Sequence, residues 1–119
     1  MSTARKVSKE NPMRHYIWGN QCEGWDLADW DSLSVKYERM PPGTDEQEHF
    51  HQQAGQFFYI LKGEAVFEIE GERIHVNCHA GIQIEPGQKH RILNEGPGDL
   101  EFVLSSRPST KWDRINIDR

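Results

Sequence analysis

The sequence predicts an all-β domain, a barrel or sandwich of short strands, and three observations carry that prediction. Turn residues punctuate the chain at regular intervals from residue 41 onward. The segment Glu64 to Glu70 (EAVFEIE) alternates Ala65, Phe67 and Ile69 with Val66, Glu68 and Glu70, the period of a strand with one buried face. No stretch repeats with the 3.6 period of an amphipathic helix.

In chain order, Met1 to Glu10 (MSTARKVSKE) is polar and charged, which predicts a flexible N-terminus over residues 1–10 ahead of one domain over 11–119. Asn11 to Asp31 holds three of the four tryptophans without clean periodicity, which predicts an irregular arm packed against the barrel as a flap. Within it, Trp25 and Trp30 would either close the mouth of the barrel or staple the arm in place. Strands are expected at Leu33 to Met40, Gln56 to Leu61, Glu64 to Glu70, Arg73 to Asn77, Gly81 to Glu85, His90 to Leu93 and Leu100 to Ser105. The residues between them, Pro41-Pro42-Gly43, Lys62-Gly63, Glu70-Gly71, Pro86-Gly87 and Gly96-Pro97-Gly98, supply the fixed or positive φ that tight reversals require. The run Phe57 to Leu61 (FFYIL) is apolar on both faces, so its outer face needs a cover, and a second copy of the chain in a homodimer is the expected one.

Composition narrows the function. A charged fraction of 28%, mean hydropathy of -0.82 and the lack of any apolar run near the roughly 20 residues of a membrane helix exclude a helical membrane span. No apolar stretch of the kind a secretory signal needs follows the charged start, so the cytoplasm is the expected location. The net charge of -5 and the scattered basic residues argue against nucleic acid as a partner. Cys22 and Cys78 lack the CxxC spacing of a thiolate zinc site and are expected to be reduced bystanders. Six histidines in 119 residues do need an explanation.

His49-Phe50-His51 places two imidazoles at i and i+2, which on a strand project from one face about 7 Å apart at Cα and can converge on one ion. The same pair in a turn would be exposed and inert, and Asp45, Glu46 and Glu48 before it would suit a solvated acidic loop. The surrounding residues favour the first reading. Gly43 to Gly63 runs as a glycine, five residues, HxH, four residues, Gln56, six residues and a second glycine, which resembles the first motif of the cupin superfamily. Pro86 to Asn94 (PGQKHRILN) resembles the second motif, with a glycine, two residues, His90, three residues and an asparagine. The chain is similar to the small single-domain cupins of the mannose-6-phosphate isomerase-like group, a likeness that covers about 33–105 and carries no isomerase activity with it.

That resemblance implies a cupin β-barrel (double-stranded β-helix, or jelly roll) with His49, His51 and His90 facing the lumen as ligands of one divalent metal ion. Zinc, nickel, iron and manganese all suit imidazole and amide donors. The chain departs from the family pattern at Gln56, where the usual motif has a glutamate ligand, and at Gly81, which lies two residues too close to Gly87. A neutral amide leaves the full charge of the dication in place, which favours an anionic oxygen ligand and non-redox isomerase or lyase chemistry on a carboxylate or sugar substrate. Gln56 as a mere lining residue is the alternative. Phe58 and Ile60 share its strand face and are expected to form an apolar pocket wall, and Tyr37 is a weak candidate for the catalytic proton donor. His15, His75, His79, Lys89 and Arg91 are expected outside the site. A non-catalytic small-ligand binding or sensing module and an iron-dependent dioxygenase are the competing readings.

Overall fold

The computed structural model describes residues 4–118, in two antiparallel sheets with no helix among those residues. The tight turns form where backbone conformation demands them. Glu70 and Gly71 both adopt positive φ, 50° and 80°, and close a two-residue hairpin between β6 (Ala65–Ile69) and β7 (Glu72–Val76).

One sheet has six strands in the order β1 (Arg14–Trp18), β2 (Cys22–Trp30), β3 (Leu33–Met40), β10 (Leu100–Arg107), β5 (Gly55–Lys62), β8 (Gly81–Ile84). The other has five, in the order β11 (Arg114–Asn116), β4 (His49–His51), β9 (His90–Leu93), then β6 and β7. The all-β architecture follows the expectation. The arm does not, because residues 14–30 form a regular hairpin that extends the six-stranded sheet from β3. Its strands were hidden by a mixed pattern and by a bulge between Asp26 and Ala28 that breaks the alternation. Strand β11 also went unexpected, being three exposed residues long.

Between the sheets lies a core of interdigitating apolar side chains, among them Phe67, Phe102, Met40, Ile60 and Ile92, each at most 1% exposed. Phe58 sits edge-on to Phe67 at 5.0 Å and tilted against Phe102 at 5.5 Å. Strand β5 therefore buries Gln56, Phe58 and Ile60 and turns Phe57 and Tyr59 outward, where they stack on each other 44% and 37% exposed. Cys22 is buried, Cys78 is exposed, and both are free thiols. Among the described residues no helix is long and apolar enough to cross a membrane.

Candidate metal centre

Alternation along β4 buries His49 and His51 while Phe50 between them faces the other way. His90 opens β9 directly opposite His49, so two sequence segments about forty residues apart deliver three imidazoles to one spot. The rings are 2%, 4% and 1% exposed in chain order, and their candidate ligand nitrogens all lie within 4.8 Å of one another.

Backbone carbonyls fix the protonation of all three. Nδ1–H of His49 donates to the Gln47 carbonyl at 2.9 Å, that of His90 to Gln88 at 2.8 Å, and that of His51 to Asp113 at 3.0 Å. A carbonyl can only accept, so the proton sits on Nδ1 and each Nε2 keeps a bare lone pair. Burial also opposes protonation, holding the His49 pKa down to about 3 and that of His90 to about 4, with His51 lowered for the same reason. His51 Nε2 is buried and has no hydrogen-bond partner among the described residues. Three neutral rings with converging lone pairs, one of them orphaned, are a donor set that fits a cation.

Gln56 enters from the other sheet. Its Nε2 donates to Ser106 Oγ at 3.0 Å, which leaves Oε1 facing His90 Nε2 at 3.1 Å. Both atoms are then acceptors, and a cation drawn between them resolves the repulsion, as would a half-turn of the amide.

The C-terminal segment braces this centre. The Asp113 carboxylate accepts backbone N–H bonds from Gln52, Gln53 and Ala54 at 2.9, 3.1 and 3.0 Å, while its own carbonyl takes the His51 proton. Burial alone would raise the Asp113 pKa, but those three N–H groups outweigh it and leave the carboxyl below its ordinary value.

His49 and His51 open onto a cavity of about 240 Å³, lined also by Gln56, Phe58, Tyr16, Glu38, Glu46 and Arg114. Of the wall expected from the sequence, Phe58 lines this cavity and Ile60 lies deeper, fully buried in the core. Tyr37 is on the opposite face of β3, its hydroxyl donating to Glu101 at 2.5 Å and its ring edge-on to Trp25. It is therefore no donor to the lumen. Trp25 is held on that same outer face, with Lys9 Nζ 4.9 Å above its ring, and Trp30 is 61% exposed, so neither caps the cavity. His15 pairs with Glu23, His75 with Glu64, and Arg91 bridges Glu68 and Asp45, all outside the site.

Sequence reasoning missed Tyr16, Glu38, Glu46 and Arg114. Glu46 is partly buried, its Oε1 is buried without a hydrogen-bond partner among the described residues, and Oε2 lies 3.3 Å from Arg114. Burial raises its pKa.

A family model described as the cupin domain matches residues 36–106. The chain is 34% identical over 65 residues to the oxalate-binding protein of Thermotoga maritima, a match covering 55% of this chain and 54% of that protein. It is 29% identical over 68 residues to the tetracenomycin polyketide synthase protein TcmJ of Streptomyces glaucescens, covering 56% of this chain and 46% of that one. The matches thus span about half the length of those curated relatives. Among solved structures, a double-stranded β-helix protein of Klebsiella pneumoniae superposes with a TM-score of 0.80 at 20% identity, covering 98% of this chain and 99% of that one, a likeness of fold alone.

Proposed function

The chain belongs to the cupin domain family, and from that premise we propose that it binds one divalent cation through His49, His51 and His90, beside Gln56, for non-redox isomerase or lyase chemistry on a small carboxylate or sugar ligand. The observation that carries this is the commitment of three Nδ1–H groups to backbone carbonyls, which aims three lone pairs inward. When bound, the cation supplies Lewis acidity and an attraction for anionic oxygen. The chain does the rest. The three rings and the Gln56 amide are neutral donors and leave that attraction undiminished, Phe58 excludes water from one wall, and Arg114 adds positive charge at the cavity.

Oxalate is the natural probe, since a relative that matches half of this chain is an oxalate-binding protein. Calorimetric titration of the zinc-loaded protein with oxalate should show binding at one site per chain, and chelation of the zinc should abolish it. Equal binding with and without metal would refute the reading. Oxalate binding with no turnover of any small carboxylate or sugar acid would favour a carrier or sensor, the second reading that the same relative supports.

A second copy of the chain is the proposed cover for Phe57 and Tyr59, whose stacked rings remain exposed on the outer face of β5. Light scattering should give twice the 13.9 kDa of one chain. The substitution Tyr59→Glu should return it to the monomer mass, and a monomeric wild type would remove the proposal.

A further inference from the structure

Tyr16, Gly24 and Glu38 stand in one row across three neighbouring strands, each the register partner of the next. The Tyr16 ring lies over Gly24 and its hydroxyl donates to Glu38 Oε2 on the far side. A Cβ on residue 24 would stand 2.0 Å from Tyr16 Cζ and 2.3 Å from its hydroxyl oxygen, so any side chain there displaces the ring. The strand between the two residues is thus notched to let a tyrosine reach a glutamate two strands away. Glu38, 9% exposed, lines the same cavity as His49, His51 and Gln56. At about 240 Å³ that cavity holds on the order of eight waters, and Glu38 shares this small volume with the imidazoles of His49 and His51.

We propose that Glu38, positioned by Tyr16 through the notch at Gly24, takes up and returns protons on a small carbon acid bound at the three histidines, a ligand whose carbonyl lies beside an acidic C–H, as in 2-keto acids and hydroxyketones. This rests on the metal-site reading above and supplies the proton carrier that reading lacks.

The step balances within the cavity. Glu38 removes the proton, the C–H bond breaks, and its electron pair enters the carbonyl to give an enolate while an O–H bond forms on the carboxyl. When the carboxyl proton exchanges with solvent before delivery to the same carbon, the result is isotope exchange; delivery to the neighbouring carbon of a hydroxyketone, with the hydroxyl proton passing to the enolate oxygen as the new carbonyl forms, gives isomerisation. Nothing is oxidised or reduced overall, so no further reactant is needed.

Charges around the pair are mixed. Lys36, on Glu38's own strand, and Arg14, on β1, lie over the Tyr16 ring at 5.3 and 4.8 Å; Asp26 sits on β2, Glu46 on the loop before β4, and Arg114 on β11. His49 and His51 share the cavity but are neutral, as argued above. Burial dominates and pushes the Glu38 pKa up to about 7, with Glu46 adding to the rise and the Tyr16 hydrogen bond, Lys36 and Arg114 opposing it. A carboxyl near neutrality is populated in both forms, as an acid–base catalyst must be. Burial raises the Tyr16 pKa as well, so the phenol stays a donor.

The test uses zinc-loaded protein in heavy water with pyruvate and dihydroxyacetone as probes, following deuterium uptake by proton NMR against free zinc as background. The wild type should exchange at least one probe. Glu38→Gln should slow exchange by at least ~100-fold with zinc content unchanged and oxalate still bound. Tyr16→Phe should keep part of the activity and move its pH profile upward, because the lost hydrogen bond favoured the carboxylate, and Gly24→Ala should behave like it. Independently of activity, carbon NMR of the metal-free wild type labelled at glutamate carboxyls should show a group titrating near pH 7 that is missing from Glu38→Gln, which tells it from Glu46, and that titration should shift upward in Tyr16→Phe. Wild-type exchange rates in Glu38→Gln, a Glu38 carboxyl titrating at its ordinary 4.5, or a wild type that binds oxalate but exchanges neither probe would each overturn the assignment. A wild type that binds neither zinc nor oxalate is the distinct failure of the metal reading, and this proposal falls with it.

Discussion

The double substitution His49→Ala, His90→Ala is expected to leave a folded protein that retains no stoichiometric metal after dialysis, where the wild type retains one ion per chain. These two residues are opposite partners in β4 and β9, so the variant removes the imidazoles whose ring centroids lie 4.3 Å apart, tilted at 57°, and leaves His51 alone. A single buried imidazole holds a dication poorly, and the loss should exceed the ~10–100-fold that follows when only a ligand's hydrogen-bond partner is disturbed. Stability reports the same event. Metal at about 100 times its dissociation constant should stabilise the wild type by about 2.7 kcal/mol, and the double variant should gain nothing from added zinc. Elemental analysis and thermal melts with and without chelator measure both effects. Retention of metal by the variant would rule out this ligand set.

Asp113→Ala carries the next largest effect, on a residue that touches no proposed ligand position with its side chain. Its carboxylate gathers the backbone N–H groups of residues 52–54, and its carbonyl fixes the His51 tautomer. Without the carboxylate the C-terminal segment loses its anchor, and the carbonyl that orients His51 drifts with it. A fall in metal affinity of about 10–100-fold is expected. Asp113→Asn keeps the accepting oxygen in part and should lie between. Because its folded pKa is depressed, the stabilisation that Asp113 gives is present above its ordinary carboxylate range and is lost as pH falls through the folded value. The melting temperature of the metal-free variant should therefore approach that of the wild type in acid. Equal zinc affinities for Asp113→Ala and wild type would show that the segment is a bystander.

Much of the fold was legible because the turns and the alternation agree. Leu33 to Met40 and His90 to Leu93 fall on β3 and β9 residue for residue, bounded by Pro41 and Gly87. Strand geometry puts His49 and His51 on one face but left them open to a solvated-loop reading, and the set of three with His90 was legible only through the likeness of the two segments to the cupin motifs. Strand β3 shows where the reasoning failed. Leu33, Val35 and Tyr37 look like its inward set and Ser34, Lys36 and Glu38 like its solvent set, yet Ser34 and Glu38 are buried and Tyr37 packs outside against Trp25. The cavity beside the histidines is lined by polar side chains, so the rule that apolar side chains point inward inverts along this part of β3. The hairpin of β1 and β2 was hidden for a related reason. Gly24 reads as a break in a strand, whereas its missing side chain is what admits the Tyr16 ring. Asp113 and Arg114 gave no signal, because their roles depend on the C-terminal segment returning to pair with β4, a contact of more than sixty residues' separation.

The most direct test of the central claim is anomalous diffraction from crystals of the metal-loaded protein, collected at the absorption edges of zinc, iron, nickel and manganese. A single anomalous peak about 2.0–2.1 Å from the Nε2 atoms of His49, His51 and His90 is the predicted result. A peak anywhere else, or rings that coordinate through Nδ1 with their carbonyl bonds broken, would contradict it.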